Sequence, residues 1–81
     1  MASYRVIWSE VADDAYSRLS ASRKKKVDQL NATLTSDPKS ISRYNRKTDQ
    51  WTTTTDDGRI LITFILSDAV LQVNVLRAQD V

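Results

Sequence analysis

From its start the chain alternates between two sides, with Tyr4, Val6 and Trp8 on one and Arg5 and Ile7 on the other. β-Branched and aromatic side chains suit a pleated surface, so the pattern predicts a strand from Tyr4 to Trp8. The period then changes. Ser9 is a good helix N-cap with Glu10 in the first turn, and Val11, Ala12, Ala15, Tyr16 and Leu19 recur at helical spacing, which predicts a first helix to about Leu19. Ser22 is a second start signal. After it Val27, Leu30 and Leu34 mark one face of a helix that must stop before Asp37 and Pro38, because the position preceding proline disfavours helical dihedrals. The two helices are expected to form an antiparallel pair.

The segment KSISRYNRKTDQ, between Pro38 and Trp51, has no clean period, four basic residues and one acid, and reads as a loop or an irregular edge. Beyond it WTTTT and RILITFIL are β-prone and joined by DDG, in which Asp57-Gly58 is a strong two-residue hairpin signal. A third segment, VLQVNVLR, follows a short connection at Ser67 to Ala69. The order is β-α-α-β-β-β, with no internal repeat or linker. We expect one α+β domain over residues 1–81, two helices packed on a mainly antiparallel four-stranded sheet.

The register of the hairpins decides what faces where. If Asp57 and Gly58 form the turn, Asp56 lies opposite Arg59, Thr55 opposite Ile60, Thr53 opposite Ile62 and Trp51 opposite Phe64. Trp51, Ile60, Ile62, Phe64 and Leu66 then share one face, and an even-length loop after Leu66 adds Leu71, Val73 and Val75 to it. A three-residue loop would instead bury Gln72 and Asn74 unpaired, which is costly. Trp8, Trp51 and Phe64 are accordingly core residues. The opposite face displays Thr52, Thr54, Arg59, Leu61, Thr63, Ile65, Gln72, Asn74 and Leu76, with no helix left to cover it. A coiled sheet turns that face into a shallow concavity, rimmed by Arg59 and Arg77 and flanked by the basic loop, suited to an extended or phosphate-bearing partner.

Composition narrows the chemistry. A chain of 81 residues makes one small domain, burying roughly 60% of its unfolded surface and leaving little room for a pocket. Apolar residues at 41% and charged ones at 27% match globular averages, so the chain should fold. With no cysteine and no histidine, disulfides are excluded and the commonest zinc ligands are missing. No carboxylate cluster suits a metal, and no cofactor is expected. The longest apolar run, Ile60 to Leu66, is seven residues and too short to span a bilayer. A cytoplasmic protein with no membrane partner is the natural expectation. A net charge of +2 is compatible with a basic surface without demanding a nucleic-acid partner.

Several segments in this order resemble the RelE/ParE superfamily of bacterial type II toxins. They are VIWSEVADDAYSRL in the first strand and helix, a second helix ending in DP, and the hairpin segments DDGRILITF and VLQVNVLR. Trp51 to Phe64 is similar to the family's aromatic strand, turn and arginine-bearing strand, with Arg59 at the arginine. The resemblance implies one of two activities, cutting messenger RNA in the ribosomal A site, which inhibits translation, or binding DNA gyrase. A toxin-like domain that survives only as a binding protein is a third alternative. The resemblance also implies a cognate antitoxin whose extended tail wraps the toxin, as an uncovered sheet would allow.

For RNA cleavage the resemblance casts Arg59 as the phosphate or transition-state cation and Arg77, which matches an arginine common in the family, as an auxiliary cation. Arg43, Tyr44, Arg46 and Lys47 combine phosphate-binding charge with an aromatic able to stack on a base, and are candidate RNA-binding residues. RNA-cleaving members usually show basic side chains at the positions of Thr52 and Thr54, and a basic or aromatic catalytic residue after the last strand, where this chain ends RAQDV.

Plainer readings stand beside these. Arg59 can pair with Asp56 or Asp57, an exposed interaction worth about 0 to 1 kcal/mol, and Arg77 can pair with Asp80. Strand pairing should bring Arg59 and Arg77 close together, where like charges repel unless an anion or acid sits between them. The run Arg23 to Lys26 is expected to be a solvated helix face, or a sequence-independent contact to ribosomal RNA phosphates. The proton-transfer candidates near the open face are Asp49, Tyr44 and the turn acids Asp56 and Asp57.

Overall fold

Ser9 ends the first strand and begins the first helix. Its hydroxyl accepts a hydrogen bond from the Ala12 backbone N–H (3.1 Å) and donates to the Leu76 carbonyl (2.9 Å), so one side chain caps the helix and ties it to the last strand. The computed structural model describes residues 3–80. In order it contains β1 (Arg5–Trp8), α1 (Glu10–Ser17), α2 (Ala21–Ser36), β2 (Arg43–Asn45), β3 (Gln50–Thr54), β4 (Ile60–Ser67) and β5 (Gln72–Asp80).

Helix α2 starts one residue before the expected Ser22. Ser20 is the cap, its hydroxyl accepting from Arg23 N, because α1 closes with the Arg18 and Leu19 amides bonded to Ala15 and Tyr16 carbonyls and leaves almost no linker. The helix ends at Ser36, with the Asp37 amide on the Thr33 carbonyl at 2.8 Å and Pro38 buried behind it. The two helices contact the sheet more than each other, α1 against β5 and α2 against β1. Between them the Tyr16 hydroxyl donates to Asp28 at 2.7 Å and the Lys24 ammonium lies 5.7 Å from the Tyr16 ring centre.

The sheet has five strands, not the expected four, in the order β1-β5-β4-β3-β2. β1 runs parallel to β5, and the other neighbours are antiparallel. The additional strand is β2, inside the segment expected to be irregular, where Arg43 pairs with Thr52, Tyr44 with Trp51 and Asn45 with Gln50. All three of its residues are exposed, so no alternation of apolar and polar side chains marks it. It is held chiefly by its backbone ladder.

The first hairpin has the expected register, with Trp51 opposite Phe64 and Thr53 opposite Ile62. Its turn is of another kind. A two-residue type I′ turn needs positive φ at both central positions, yet here Gly58 alone has one, at 71°. The Gly58 amide bonds to the Thr55 carbonyl (2.9 Å), which closes a β-turn over Asp56 and Asp57 at the start of the loop that runs from Thr55 to Ile60. Buried Thr55 completes it, its hydroxyl donating to Asp57 Oδ1 (2.6 Å) and accepting from Ile60 N (3.2 Å).

The second hairpin keeps the even register, pairing Phe64 with Val75 and Leu66 with Val73. The connection runs one step longer than expected, through a 3-10 turn at Asp68–Val70 and Leu71 at φ 50°, which takes Leu71 off the strand. A β-bulge between Thr63 and Phe64 then shifts the ladder, so that Thr63 faces Arg77 and Ile62 faces Ala78. An uninterrupted ladder would set Arg77 opposite Ile62, on the helix side. The extra residue, Leu76, turns it outward.

The core joins Ala12, Val27 and Leu34 of the helices to Ile60, Ile62, Phe64, Val73 and Val75 of the sheet, with Trp8 and Trp51 packed against it. On its flank Trp51 stacks 6.3 Å from Phe64 and Tyr44 lies 5.0 Å from Trp51.

Replacing Thr55 by Val leaves the Ile60 N–H buried without a partner, and should cost about 1 to 3 kcal/mol in chemical denaturation, whereas Thr55→Ser keeps most of the stability. The Thr55 hydroxyl, then the Arg59 amide, hold the Asp57 carboxyl below its ordinary value of 3.8. Its contribution is therefore present above about pH 4 and lost as the carboxylate protonates in more acid solution, and the acid-sensitive part of the stability should shrink in Thr55→Val.

Candidate functional site

Directly paired residues share a side of the sheet, so the ladder registers give the uncovered face row by row. One row crosses four strands as Arg43, Thr52, Thr63 and Arg77. It spans three strand spacings, about 14 Å. On one side of it Leu61 lies between Thr54 and Gln79, and on the other Asn74 lies between Ile65 and Ile7. Arg5, Gln72 and Ser67 form the row beyond. Among the described strand positions this face presents Arg5, Arg43 and Arg77 and no carboxylate. Thr63 is nearly buried at 8% exposure, while Arg43 and Arg77 stand out to solvent.

The expected site residues do not gather at one point. Arg59 is exposed in the β3–β4 turn, where its amide donates to Asp57 Oδ1 at 3.1 Å. Its guanidinium forms no ion pair with a described residue. The anticipated pairing with Asp56 is replaced, because Lys26 takes that carboxylate at 3.0 Å. The Arg77–Asp80 pair does not form either, since Asp80 is bridged by Arg23 of α2. Arg77 and Arg59 are not neighbours. Arg77 faces Thr63, four residues along the chain from Arg59, or about 13 Å of extended strand. The reason is that β5 continues to Asp80, which places Arg77 inside the strand and removes the expected repulsion.

Tyr44 and Arg43 fall on opposite sides of β2. The Tyr44 ring packs on Trp51, on the helix side, and its hydroxyl donates to Asp49 Oδ1 at 2.7 Å. That bond to a carboxylate, then burial, raises the phenol above its ordinary value of 10.0. The aromatic expected to stack on a base is thus engaged within the protein, and the two nearest proton-transfer candidates bind each other. Arg46 and Lys47 are exposed in the following turn, which is shaped by the Lys47 amide on Asn45 Oδ1 (2.9 Å) and by Asp49 at φ 55°. Of the run Arg23 to Lys26, Arg23 and Lys26 hold Asp80 and Asp56 and Lys24 lies beside Tyr16, leaving Lys25 exposed.

Sequence reasoning did not single out Arg5 or the row that links Arg43 to Arg77. The alternation of the first strand does set Arg5 apart from Tyr4, Val6 and Trp8. Assigning it to the cationic face required the parallel pairing of β1 with β5. The face offers guanidinium groups and hydroxyls, which can bind and stabilise negative charge. Among the described residues no cluster of acids suits a metal ion, and no helix is long and apolar enough to cross a membrane.

No family model matches the chain, and no curated protein does. Solved structures do. A chain of the toxin–antitoxin complex RelBE2 from Mycobacterium tuberculosis superposes with a TM-score of 0.87 at 16% identity, covering 98% of this chain and 99% of that one. A chain of the intact RelBE toxin–antitoxin complex from E. coli gives 0.80 at 11% identity, covering 96% of each. The fold is shared along nearly the whole length in both cases.

The geometry at Tyr44 can be checked by NMR titration of its ring. The phenol should ionise above the ordinary value of 10.0 in the wild type. Asp49→Gly, which removes the carboxylate and suits the positive φ, should bring the titration back down toward that value.

Proposed function

We propose that this chain is the toxin of a type II toxin–antitoxin pair and acts on translation as a ribosome-dependent messenger RNA endoribonuclease. The observation that carries the reading is the uncovered cationic face, in a fold shared with chains of two toxin–antitoxin complexes. A polyanion crossing that face meets arginines at both ends of a hydroxyl row and no opposing carboxylate, the arrangement electrostatic recognition of a phosphate backbone needs. Cleavage by attack of a ribose 2′-OH builds charge on the phosphoryl oxygens, and fixed guanidinium groups stabilise it. In this reading Arg59 is the cation for the reacting phosphate and Arg77 an auxiliary one on a neighbouring phosphate. Arg43, Arg46 and Lys47 position the RNA, with Tyr44 supporting β2 from behind. The antitoxin neutralises the toxin by laying an extended segment over the same face.

One observation favours a second reading, inhibition of DNA gyrase. The face carries no acid or base that exchanges protons near neutral pH among the described residues, and Thr52 and Thr54 cannot do so. Binding to a protein target requires no such group, whereas nuclease chemistry benefits by about 10²- to 10⁴-fold from one.

Controlled expression in bacteria, with growth and messenger 5′ ends followed together, separates the readings. The wild type should arrest growth and generate new 5′ ends in ribosome-bound message. Arg59→Ala should slow cleavage by about 10²- to 10³-fold and restore growth. Arrest without new ends, accompanied by loss of supercoiling activity, would select the gyrase reading, and arrest that survives Arg59→Ala would remove Arg59 from the site.

A further inference from the structure

The Arg43 end of the row opens into a cleft of about 500 Å³ between β3 and the chain leading into β2. Its walls include Ile41, Ser42, Arg43, Thr52, Thr54 and Leu61. The volume lies in the range, about 300 to 1,000 Å³, of sites that take small organic groups. The wall at Ile41 is held in place, because the Thr53 hydroxyl donates to the Ile41 carbonyl at 2.9 Å. The Ser42 hydroxyl oxygen lies behind this wall, shut off from solvent, so the accessible hydroxyl-bearing residues of the cleft are Thr52 and Thr54.

We propose that this cleft is a nucleobase pocket, filled by one base of a single-stranded RNA whose backbone lies along the row from Arg43 to Arg77. The inference rests on the reading of the face as an RNA-binding surface and adds to it a site that selects among bases. The composition fits a base better than a sugar or a peptide carboxylate. Leu61 and Ile41 supply apolar surface for the flat faces of a heterocycle. The hydroxyls of Thr52 and Thr54 rotate to serve either as donors or as acceptors along its edge. Arg43 at the rim meets the phosphate attached to the same nucleotide, and no carboxylate lines the cleft to oppose it. The neighbouring cleft behind β3, beside Lys26 and Leu30, lacks this character, since its charged groups Lys26 and Asp56 already satisfy each other. Selection by hydrogen bonding in a half-apolar slot also explains how β2 contributes although its aromatic, Tyr44, faces the other way.

The test is fluorescence-anisotropy binding of the full chain to single-stranded oligoribonucleotides of about eight nucleotides, comparing adenine, cytosine and uracil homopolymers with an abasic strand of equal length. One homopolymer should bind at least about tenfold tighter than the abasic strand, the discrimination that one well-placed set of base-edge hydrogen bonds supplies. Thr54→Phe, a bulky residue at an exposed strand position that β-structure tolerates, fills the cleft and should reduce that homopolymer to the abasic level. Thr52→Val should lower the preference several-fold without altering volume much, and decides the matter if Thr54→Phe does not fold. Arg43→Ala should weaken all strands together and reduce the slope of log affinity against log salt by about one. Equal binding of all strands, or a preference that persists in both cleft variants, overturns the pocket. If the protein nevertheless arrests growth and cuts message, the proposed function stands without it. If no strand binds and supercoiling is blocked instead, both fall.

Discussion

Phe64, wholly buried at the centre of β4, stacks 6.3 Å from Trp51 on one flank and lies opposite Val75 on the other. That packing pins the register of the three longest strands at once. Because side chains alternate with period two, a slip of one residue on either flank would carry Thr52, Thr63 or Arg77 into the core and Ile62 or Val73 into solvent. The cationic face is therefore a consequence of the apolar one. The same row of pairs continues outward to Tyr44 on β2 and to Trp8 on β1, so an aromatic on each edge strand rests against the register that Phe64 sets.

The charges sort themselves by side. Asp56 is held by Lys26, Asp80 by Arg23, Asp68 by Lys39 and the Tyr4 hydroxyl, and Asp49 by Tyr44. Each of these contacts is exposed and screened by solvent, so each stabilises the fold little by itself. Their collective effect is on the field outside the protein. Several acids are neutralised at the sheet ends and on the helix side, and the arginines on the open face are left without a carboxylate among the described strand positions, so a molecule with a net charge of only +2 presents one surface of consistent sign. The bulge at Leu76 is needed for this as well. Without it the guanidinium of Arg77 would be directed toward the helices, where a charge would have to be paired or solvated at cost.

Much of the fold follows from local rules that a linear reading can apply. Alternation marks β1, β4 and β5, helical spacing marks α1 and α2, Ser9 and the Asp37-Pro38 pair mark helix boundaries, the Asp57-Gly58 signal places the register of the first hairpin, and the cost of burying Gln72 and Asn74 places Val73 and Val75 on the inner face of the second. The candidate site was only half legible. Arg43, Arg46, Lys47, Arg59 and Arg77 stood out by charge, yet nothing local said that Arg43 and Arg77 end the same row, that Arg59 lies about 13 Å from Arg77, or that Tyr44 faces away from its neighbour.

By itself the sequence determined the two helices, four of the five strands in their order, the apolar face and the pairing of the first hairpin, since these depend on side-chain period and turn chemistry within a few residues. Tertiary structure alone decided the fifth strand, the bulge and the partners of the acids. β2 exists because its backbone finds the free edge of β3, a gain no side-chain pattern encodes. Arg77 points outward because one extra residue is accommodated where β5 must still pack Ala78 under the helices. Asp80 meets Arg23 because α2 and the end of β5 converge from positions 57 residues apart. Each outcome is a competition between distant groups for the same place, and the winner is set only when the sheet is assembled.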